Sequence, residues 1–183
     1  MSKKVFFKEF LKEKKVGAIA PSSKILVNKM LGIIDFDKAR NIVEFGAGTG
    51  SFTRAIMHKL HPDGKLLIFE TQESFCEILR KELSDPRAII IQDSAEKLGE
   101  YLKKHGIEKA DYIVSSLPFT LIPKTVKDTI LNEAVTYLDK NGLFTQYQYS
   151  LNAHRLLKSK FKEVKIKFAP LNLPPAFIYT CKN

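Results

Sequence analysis

The stretch Val43-Glu-Phe-Gly-Ala-Gly-Thr-Gly50 decides the fold of this chain, because it places a glycine-rich turn directly after an apolar strand. Glycines allow a tight turn and let the backbone approach a ligand, and the helix predicted to follow presents free N–H groups at its start. Many glycine-rich turns only reverse the chain. The spacing here, Gly-x-Gly-x-Gly, is one residue shorter than the dinucleotide fingerprint Gly-x-Gly-x-x-Gly, so the turn departs from that fingerprint.

Apolar runs rich in β-branched residues alternate with helix-like stretches on both sides of this turn. Helices are predicted near 51–60, 73–83, 95–104, 123–138 and 150–159, between strands at 41–45, 65–70, 88–92, 111–115, 143–147, 164–168 and 176–180. This order predicts an α/β fold: a Rossmann-like, seven-stranded, mostly parallel sheet with helices on both faces. The last two predicted strands are too close in sequence for a helical crossover, so we expect an antiparallel last strand.

Length and composition favour one domain over residues 1–183, with 1–32 as an N-terminal helical extension that could act as a lid. The chain is 44% hydrophobic and 27% charged, as in soluble globular proteins. It has no apolar run long enough to span a membrane and no signal-peptide pattern. Its two cysteines, Cys76 and Cys181, make no metal spacing, so we expect no metal site and a cytoplasmic protein.

Polar residues stand at the predicted ends of the first three strands. Glu44 lies within the glycine-rich run, Glu70 follows 20 residues after Gly50, and Asp93 follows the third strand. Open α/β sheets bind ligands at these strand ends, where Glu70 could accept hydrogen bonds from both ribose hydroxyls. Asp93 could accept one from an adenine amine. Three successive strands therefore predict one nucleoside-binding crevice.

Over nearly its whole length the chain resembles class I methyltransferases that depend on S-adenosylmethionine (SAM). Their first motif, Glu/Asp-x-Gly-x-Gly-x-Gly, matches Glu44–Gly50. The resemblance implies SAM as the cofactor, Glu70 as the ribose-binding acid and Asp93 as the adenine-contacting acid. The candidate cofactor-binding residues are Glu44, Gly46, Ala47, Gly48, Gly50, Glu70, Thr71, Asp93, Ser94 and Ser115.

The chain resembles two subfamilies of these methyltransferases, which act on different substrates. Ribosomal RNA adenine dimethyltransferases carry Asn-Leu-Pro-Tyr/Phe after the fourth strand, where this chain has Ser116-Leu117-Pro118-Phe119. The Asn that aims the weakly nucleophilic adenine amine is lost, and the C-terminal helical domain of that subfamily is not expected here. Phe119 could stack on a base, which keeps ribosomal RNA adenine N6-methylation as the alternative.

The stretches 16–23, 43–53, 115–118 and 172–176 together are similar to bacterial phospholipid N-methyltransferases. That resemblance implies methylation of the amine headgroup of a membrane aminolipid such as phosphatidylethanolamine. The run Asn172-Leu-Pro-Pro lies too late in the chain for the acceptor box of DNA adenine methylases. It should instead lie in a loop at the substrate mouth.

The candidate catalytic residues follow the fourth and fifth strands. We expect Ser116 and Leu117 to lie against the transferred methyl group, with backbone carbonyls over 115–117 orienting the amine. Tyr147 and Tyr149, two residues apart, could face the pocket or pack elsewhere. No side-chain base is required by this arrangement.

The net charge of +10 is concentrated at the two ends of the chain. Residues 1–15 carry six Lys against two Glu, residues 151–183 carry seven Lys or Arg against Glu163, and the part between is neutral. Residues 3–15 place Phe6, Phe7, Phe10 and Leu11 on one helical stripe flanked by lysines, as in helices that lie at a membrane surface, although the stripe could also pack on the core.

These features predict an anionic membrane surface and an aminolipid as partners, and a peripheral location on the inner face of the membrane. Nucleic acid is the alternative anionic partner, and no obligate protein partner is evident. A basic surface that only improves solubility, and a non-catalytic SAM- or lipid-binding module, are the remaining interpretations.

Overall fold

The computed structural model describes residues 24–183. The predicted amphipathic helix over residues 3–15 lies outside the described residues. The last part of the predicted helical extension over 1–32 is present as α1, Lys24–Leu31. It packs Leu26, Val27, Met30 and Leu31 against the sheet and against the helix Ser51–Lys59.

Helices and strands alternate along the described chain as the sequence predicts. The other helices are α2 (Ser51–Lys59), α3 (Glu73–Glu82), α4 (Leu98–Lys104), α5 (Lys124–Tyr137) and α6 (His154–Lys158), and short 3-10 turns cover Ala95–Lys97 and Leu151–Ala153. The strands are β1 (Asn41–Phe45), β2 (Lys65–Phe69), β3 (Ala88–Ile91), β4 (Ala110–Ser115), β5 (Leu138–Gln148), β6 (Glu163–Ala169) and β7 (Ala176–Lys182).

The seven strands form one sheet in the order β3-β2-β1-β4-β5-β7-β6. Strands β1 to β5 pair in parallel, whereas β7 lies between β5 and β6 and is antiparallel to both. The mostly parallel, Rossmann-like sheet with an antiparallel last strand is confirmed. The carboxyl ends of β1 to β6 therefore lie at the same edge of the sheet, which we call the carboxyl edge.

Apolar side chains alternate between the two faces of the sheet and bury a layer of helices on each. Val43, Phe45, Phe69 and Phe144 belong to one buried cluster, with α4, α5 and α6. Ile42, Ile68 and Val114 belong to the other, with α1, α2 and α3. This period of two fixes which side chains of each strand can reach which side of the carboxyl edge.

Strand β5 begins five residues earlier than the sequence predicts. Its first residue, Leu138, pairs with Ala110, and the register then shifts before Tyr112 pairs with Leu143. Gly142 lies so close to the Asp111 carbonyl that a Cβ there would be 2.6 Å from the oxygen. The polar run 139–141 is typical of a turn, but this irregularity accommodates it within the strand.

Candidate functional site

The glycine-rich turn has the backbone that its sequence demands. Gly46, Gly48 and Gly50 have φ angles of 74°, 53° and 80°, in the left-handed region that costs other residues about 1–2 kcal/mol. The Gly46 N–H donates to the Phe69 carbonyl at 2.8 Å, which joins the turn to the end of β2. A Cβ on Gly48 would meet no atom within 4 Å, so the backbone here borders open space.

The loop after β4 packs directly on this turn. A Cβ on Gly46 would lie 3.0 Å from Cδ2 of Leu117, and the Ser116 N–H donates to the Phe45 carbonyl at 2.9 Å. The predicted catalytic loop and the predicted cofactor turn are therefore neighbours. Gly46 is small enough to permit that close approach.

Glu70 joins the ends of β1 and β2. Its carboxylate accepts the Gly48 N–H at 2.8 Å through Oε2 and the Gln72 N–H at 2.9 Å through Oε1, and the residue is 6% exposed. Each carboxylate oxygen can accept a further hydrogen bond. Glu70 thus orders the glycine turn and keeps acceptor capacity beside the open space at Gly48.

Glu44 is fully buried behind the turn. Thr53 donates its hydroxyl to Oε2 at 2.7 Å, while Oε1 has no hydrogen-bond partner. Burial raises the pKa of Glu44 to about 7; the charge of Glu70 adds to the rise and the Thr53 hydroxyl opposes it. The sequence prediction missed Thr53, although a hydroxyl residue on the buried stripe of α2 was a signal.

Asp93 lies at the end of β3, as predicted, among donors from its own chain. Oδ2 accepts from Lys97 Nζ at 2.9 Å and from the Tyr101 hydroxyl at 3.0 Å, and Oδ1 accepts the Ser94 N–H at 2.8 Å. Burial raises the pKa of Asp93, but these donors outweigh it and the net pKa is lowered. One acceptor position on Oδ1 remains for a ligand amine.

The other predicted cofactor residues occupy varied positions. The Ser94 hydroxyl accepts the Glu96 N–H at 3.3 Å and so caps a 3-10 turn, and Thr71 is exposed beside Glu70. Ala47 is buried within the glycine turn. Ser115 is buried at the end of β4, where its hydroxyl oxygen accepts a hydrogen bond from the Leu117 N–H at 3.4 Å. Their roles in cofactor binding stay predictions.

Phe119 does not have the exposure that base stacking needs. Its side chain is 2% exposed and packs in the cluster beneath α5. The expectation that Phe119 could stack on a nucleobase was wrong, because the loop turns this ring into the core. Ser116, three residues earlier, has a buried hydroxyl with no hydrogen-bond partner.

Two glutamines at the end of β5 hold the Leu117 carbonyl, and the sequence prediction missed both. Gln146 and Gln148 each donate their side-chain amide to that oxygen at 2.9 Å. A carbonyl oxygen has two lone pairs, so this one is fully engaged. The expected amine-orienting role of the Leu117 carbonyl is therefore corrected. Two polar residues at alternate positions of a buried strand were the available signal.

Tyr147 points to the opposite face of β5 from these glutamines. Its ring stacks on Phe52 at a centroid distance of 6.2 Å and meets Tyr149 edge-on at 5.7 Å. Partial burial, with the neighbouring Tyr147, raises the pKa of Tyr149 to about 12. Tyr149 therefore stays protonated at neutral pH, which disfavours a role as a general base. The catalytic role of Tyr147 stays a prediction.

The residues at the carboxyl edge fit SAM. Four buried side-chain oxygens in the described residues have no hydrogen-bond partner, and they lie at or near the ends of β1, β4 and β5, on Glu44, Ser116, Thr145 and Gln146. SAM offers donors from its ammonium, its ribose hydroxyls and its adenine amine, and the Glu70 and Asp93 carboxylates add acceptors. Leaving buried oxygens unpaired costs about 1–3 kcal/mol each, so a donor-rich ligand suits this edge.

Membrane-spanning helices and metal-binding clusters are both absent from the described residues. None of the helices in residues 24–183 is long and apolar enough to cross a membrane. Within the same range, no group of three or more His, Cys, Asp or Glu side chains is arranged to hold a metal ion.

Comparison with known proteins places these features in a family. A family model described as "Methyltransferase small domain" matches residues 16–169. The chain is 32% identical to an ornithine lipid N-methyltransferase of Singulisphaera acidiphila, over 92% of this chain and 88% of that protein. It is also 28% identical to ribosomal RNA small subunit methyltransferase A of Mesoplasma florum, over 70% of this chain and 50% of that protein.

The fold agrees with solved structures. An O-methyltransferase from Bacillus cereus in complex with S-adenosylhomocysteine (SAH) superposes with a TM-score of 0.72 over 100% of this chain and 93% of that one, at 14% identity. At that identity the likeness concerns the fold. Taken with the family match and the crevice at the carboxyl edge, it means that the chain belongs to the methyltransferase small domain family and is a SAM-dependent methyltransferase.

Proposed function

We propose that this enzyme transfers the methyl group of SAM to the amine nitrogen of a membrane aminolipid, with phosphatidylethanolamine and ornithine lipids as the candidate classes. The relative from Singulisphaera acidiphila is named for N-methylation of an ornithine lipid and aligns over most of both chains. The proposal also includes peripheral attachment to the inner face of the membrane.

The observation that carries the proposal is the loop after β4. Ribosomal RNA adenine dimethyltransferases have Asn at the first position of this loop motif. This chain has Ser116 there, and the Ser116 hydroxyl is buried. An aryl amine needs a side-chain amide to localise its lone pair, whereas an aliphatic amine is a good nucleophile once it is deprotonated. A loop without that amide therefore favours the headgroup of an aminolipid.

Methyl transfer here needs positioning more than acid–base chemistry. SAM held at the carboxyl edge would supply an electrophilic methyl group, and its sulfur would keep the electron pair of the C–S bond that breaks as the amine nitrogen forms the new C–N bond. Glu70 and the glycine turn hold the donor side. Gln146 and Gln148 fix the Leu117 carbonyl and thereby the loop that faces the acceptor. The amine's proton leaves to solvent at the carboxyl edge.

Ribosomal RNA remains the second candidate because of the relative from Mesoplasma florum, of which this chain spans half the length. The burial of Phe119 removes the base-stacking argument for it. Restoring Asn at Ser116 should not by itself create RNA methylation, since the contacts to RNA would still be lacking. Strong methylation of ribosomal RNA by Ser116→Asn would contradict the lipid assignment.

A parallel transfer assay tests the proposal. The full chain is given methyl-labelled SAM with vesicles containing phosphatidylethanolamine, vesicles containing an ornithine lipid, or small-subunit ribosomal RNA. Label should enter one of the two lipids and leave the RNA unlabelled. Glu70→Ala serves as the control for dependence on the cofactor crevice. Labelled RNA with unlabelled lipids would overturn the proposal.

A further inference from the structure

The loop over residues 170–175, between β6 and β7, reverses the usual arrangement of polar and apolar side chains. Leu171 is 75% exposed and Leu173 is 86% exposed, while Asn172 between them is 3% exposed. Asn172 donates its side-chain amide to the Pro174 carbonyl at 2.6 Å, and its N–H donates to the Ala169 carbonyl at 3.3 Å. These bonds hold the loop in a shape that turns both leucines into solvent.

Other exposed apolar side chains lie along the same edge. Nine large hydrophobic residues are exposed in the part of the chain that the structure describes. Six of them lie at the end of β6 or in the segments that follow β4, β5 and β6: Leu121, Tyr149, Leu151, Phe168, Leu171 and Leu173. A single exposed leucine is ordinary on a soluble protein, but a cluster on one edge marks an interaction surface. We call these six residues the apolar edge.

Positive charge accompanies the apolar edge. Lys29 on α1 and Lys167 on β6 line one groove with Phe168, and Lys29 Nζ contacts the Phe168 carbonyl at 3.4 Å. Neither ammonium takes part in an ion pair with a residue in 24–183. The segment 151–183 has Glu163 as its one acidic residue. This surface is complementary to an anionic one.

We propose that the apolar edge is a membrane-docking surface, in which Leu171 and Leu173 enter the acyl boundary of an anionic bilayer while Lys29 and Lys167 meet lipid phosphates. Leucine side chains on a fixed loop lose little freedom on insertion, and lysines beside them add attraction to an anionic leaflet. The docked carboxyl edge then faces the headgroup layer, where an amine can reach the loop 115–118. The choice of a bilayer as partner rests on the proposed function.

The test separates docking from catalysis. Full-length protein and the double variant Leu171→Ser/Leu173→Ser are co-sedimented with phosphatidylglycerol–phosphatidylcholine vesicles, which contain no methyl acceptor. We expect the vesicle partition coefficient to fall at least tenfold, with SAM affinity within a factor of two of the parent protein. The matched control is Ile78→Ser, because Ile78 is an exposed side chain of α3 away from the apolar edge. This variant should bind vesicles as the parent protein does.

Charge is tested in the same assay. Lys29→Gln and Lys167→Gln should each weaken binding about fivefold at low salt, whereas Lys103→Gln on α4 should not.

Unchanged pelleting of the leucine variant would overturn the proposal. So would a shift of that variant to a smaller mass in solution without vesicles, since the leucines would then cover a second copy of the chain. Failure of the enzyme to methylate any lipid would refute the proposed function while leaving this docking measurement intact.

Discussion

Glu44 and Glu70 lie at the ends of neighbouring strands, and their carboxylates have very different surroundings. Glu70 receives two backbone N–H groups, whereas Glu44 is fully buried and receives one hydroxyl. Backbone donors favour a carboxylate, while burial with an unpartnered oxygen disfavours it. The glycine turn therefore depends on Glu70 for its shape, and the charge of Glu44 is poised to respond to pH and to a cationic ligand.

Glu70→Ala should weaken SAM binding at least tenfold. The change removes acceptors for the ribose hydroxyls, and charge-assisted hydrogen bonds contribute about 1.5–3 kcal/mol each. It also releases the Gly48 N–H. Glu73→Ala, an exposed carboxylate at the start of α3, is the control and should leave affinity unchanged. Calorimetry that finds equal affinities for the two variants would refute the ribose assignment.

Glu44→Gln should alter how stability depends on pH. Because the folded pKa of about 7 exceeds the ordinary 4.5, the stability contributed by protonated Glu44 is fully present below pH 4.5 and is lost as pH rises through 7. Relative to the parent, the apo variant should therefore gain stability between these values, on the order of 3 kcal/mol. Urea unfolding of both proteins at pH 5 and pH 8 measures the difference; parallel pH profiles would contradict it.

Among the structural elements, the glycine turn, the loop after β4 and the end of β5 form one unit. Gly46 in the turn packs against the Leu117 side chain, and two glutamine amides of β5 donate hydrogen bonds to the Leu117 carbonyl. The Ser116 N–H extends the β1–β4 ladder by one bond. The predicted cofactor side and the predicted acceptor side are thus connected through Leu117 and through the Ser116 N–H.

Gly48→Ala and Gly106→Ala form a matched pair. Both glycines have positive φ, 53° and 67°, and a Cβ added to either would meet no atom within 4 Å, but Gly106 lies in the turn before β4, away from the crevice. Both changes should reduce stability by about 1–2 kcal/mol. Only Gly48→Ala should weaken SAM binding, because its methyl group enters the open space. Equal affinities would contradict the placement of the cofactor.

Gln146→Met and Gln148→Met test the two hydrogen bonds that the glutamine amides donate to the Leu117 carbonyl. Either single change leaves one donor on the carbonyl, whereas the double change leaves a buried oxygen unpaired, at about 1–3 kcal/mol. The double variant should therefore lose more stability than the two single variants together. It should lower kcat by a larger factor than it weakens SAM binding, because the Leu117 carbonyl supports the loop predicted to face the acceptor. Additive stability losses in urea unfolding, with unchanged kcat, would show that the glutamines only fill space.

The strength of the sequence signal differed among these elements. The alternation of strands and helices followed from the apolar runs, and the antiparallel last strand followed from the short link before β7. Glu70 followed from its distance to the glycine turn. The glutamine pair was missed because Tyr147 between them indicated a functional role for the other face of β5. Phe119 was misplaced because a motif fixes neighbours in sequence and does not say which way a loop turns its ring.

On the scale of the whole molecule, exposed apolar side chains lie at the carboxyl edge together with Lys29 and Lys167. The net charge of +10 resides in the two terminal segments, and the C-terminal one carries β6, Leu171 and Leu173. The sequence alone indicated basic ends. It could not indicate that Asn172 would fold inward and the leucines outward, because that depends on hydrogen bonds within the loop.

Deleting residues 1–15 should weaken vesicle binding and leave SAM affinity nearly intact. The segment carries six lysines and the predicted apolar stripe, and none of the cofactor motifs. Binding of the full chain to phosphatidylglycerol vesicles should also decrease as salt rises, because screening weakens attraction between exposed charges. Equal pelleting of the full and shortened chains at low salt would refute the contribution of this segment.

The most direct test of the account is to locate the transferred methyl group. The full chain is incubated with SAM carrying a deuterated methyl group and with vesicles that contain phosphatidylethanolamine and an ornithine lipid, and the extracted lipids are fragmented by mass spectrometry. We predict that the deuterated methyl group is found on the headgroup nitrogen of one of these lipids, and that Glu70→Ala reduces its amount. Unlabelled lipids from active enzyme, with the label in the adenines of added ribosomal RNA, would contradict the account.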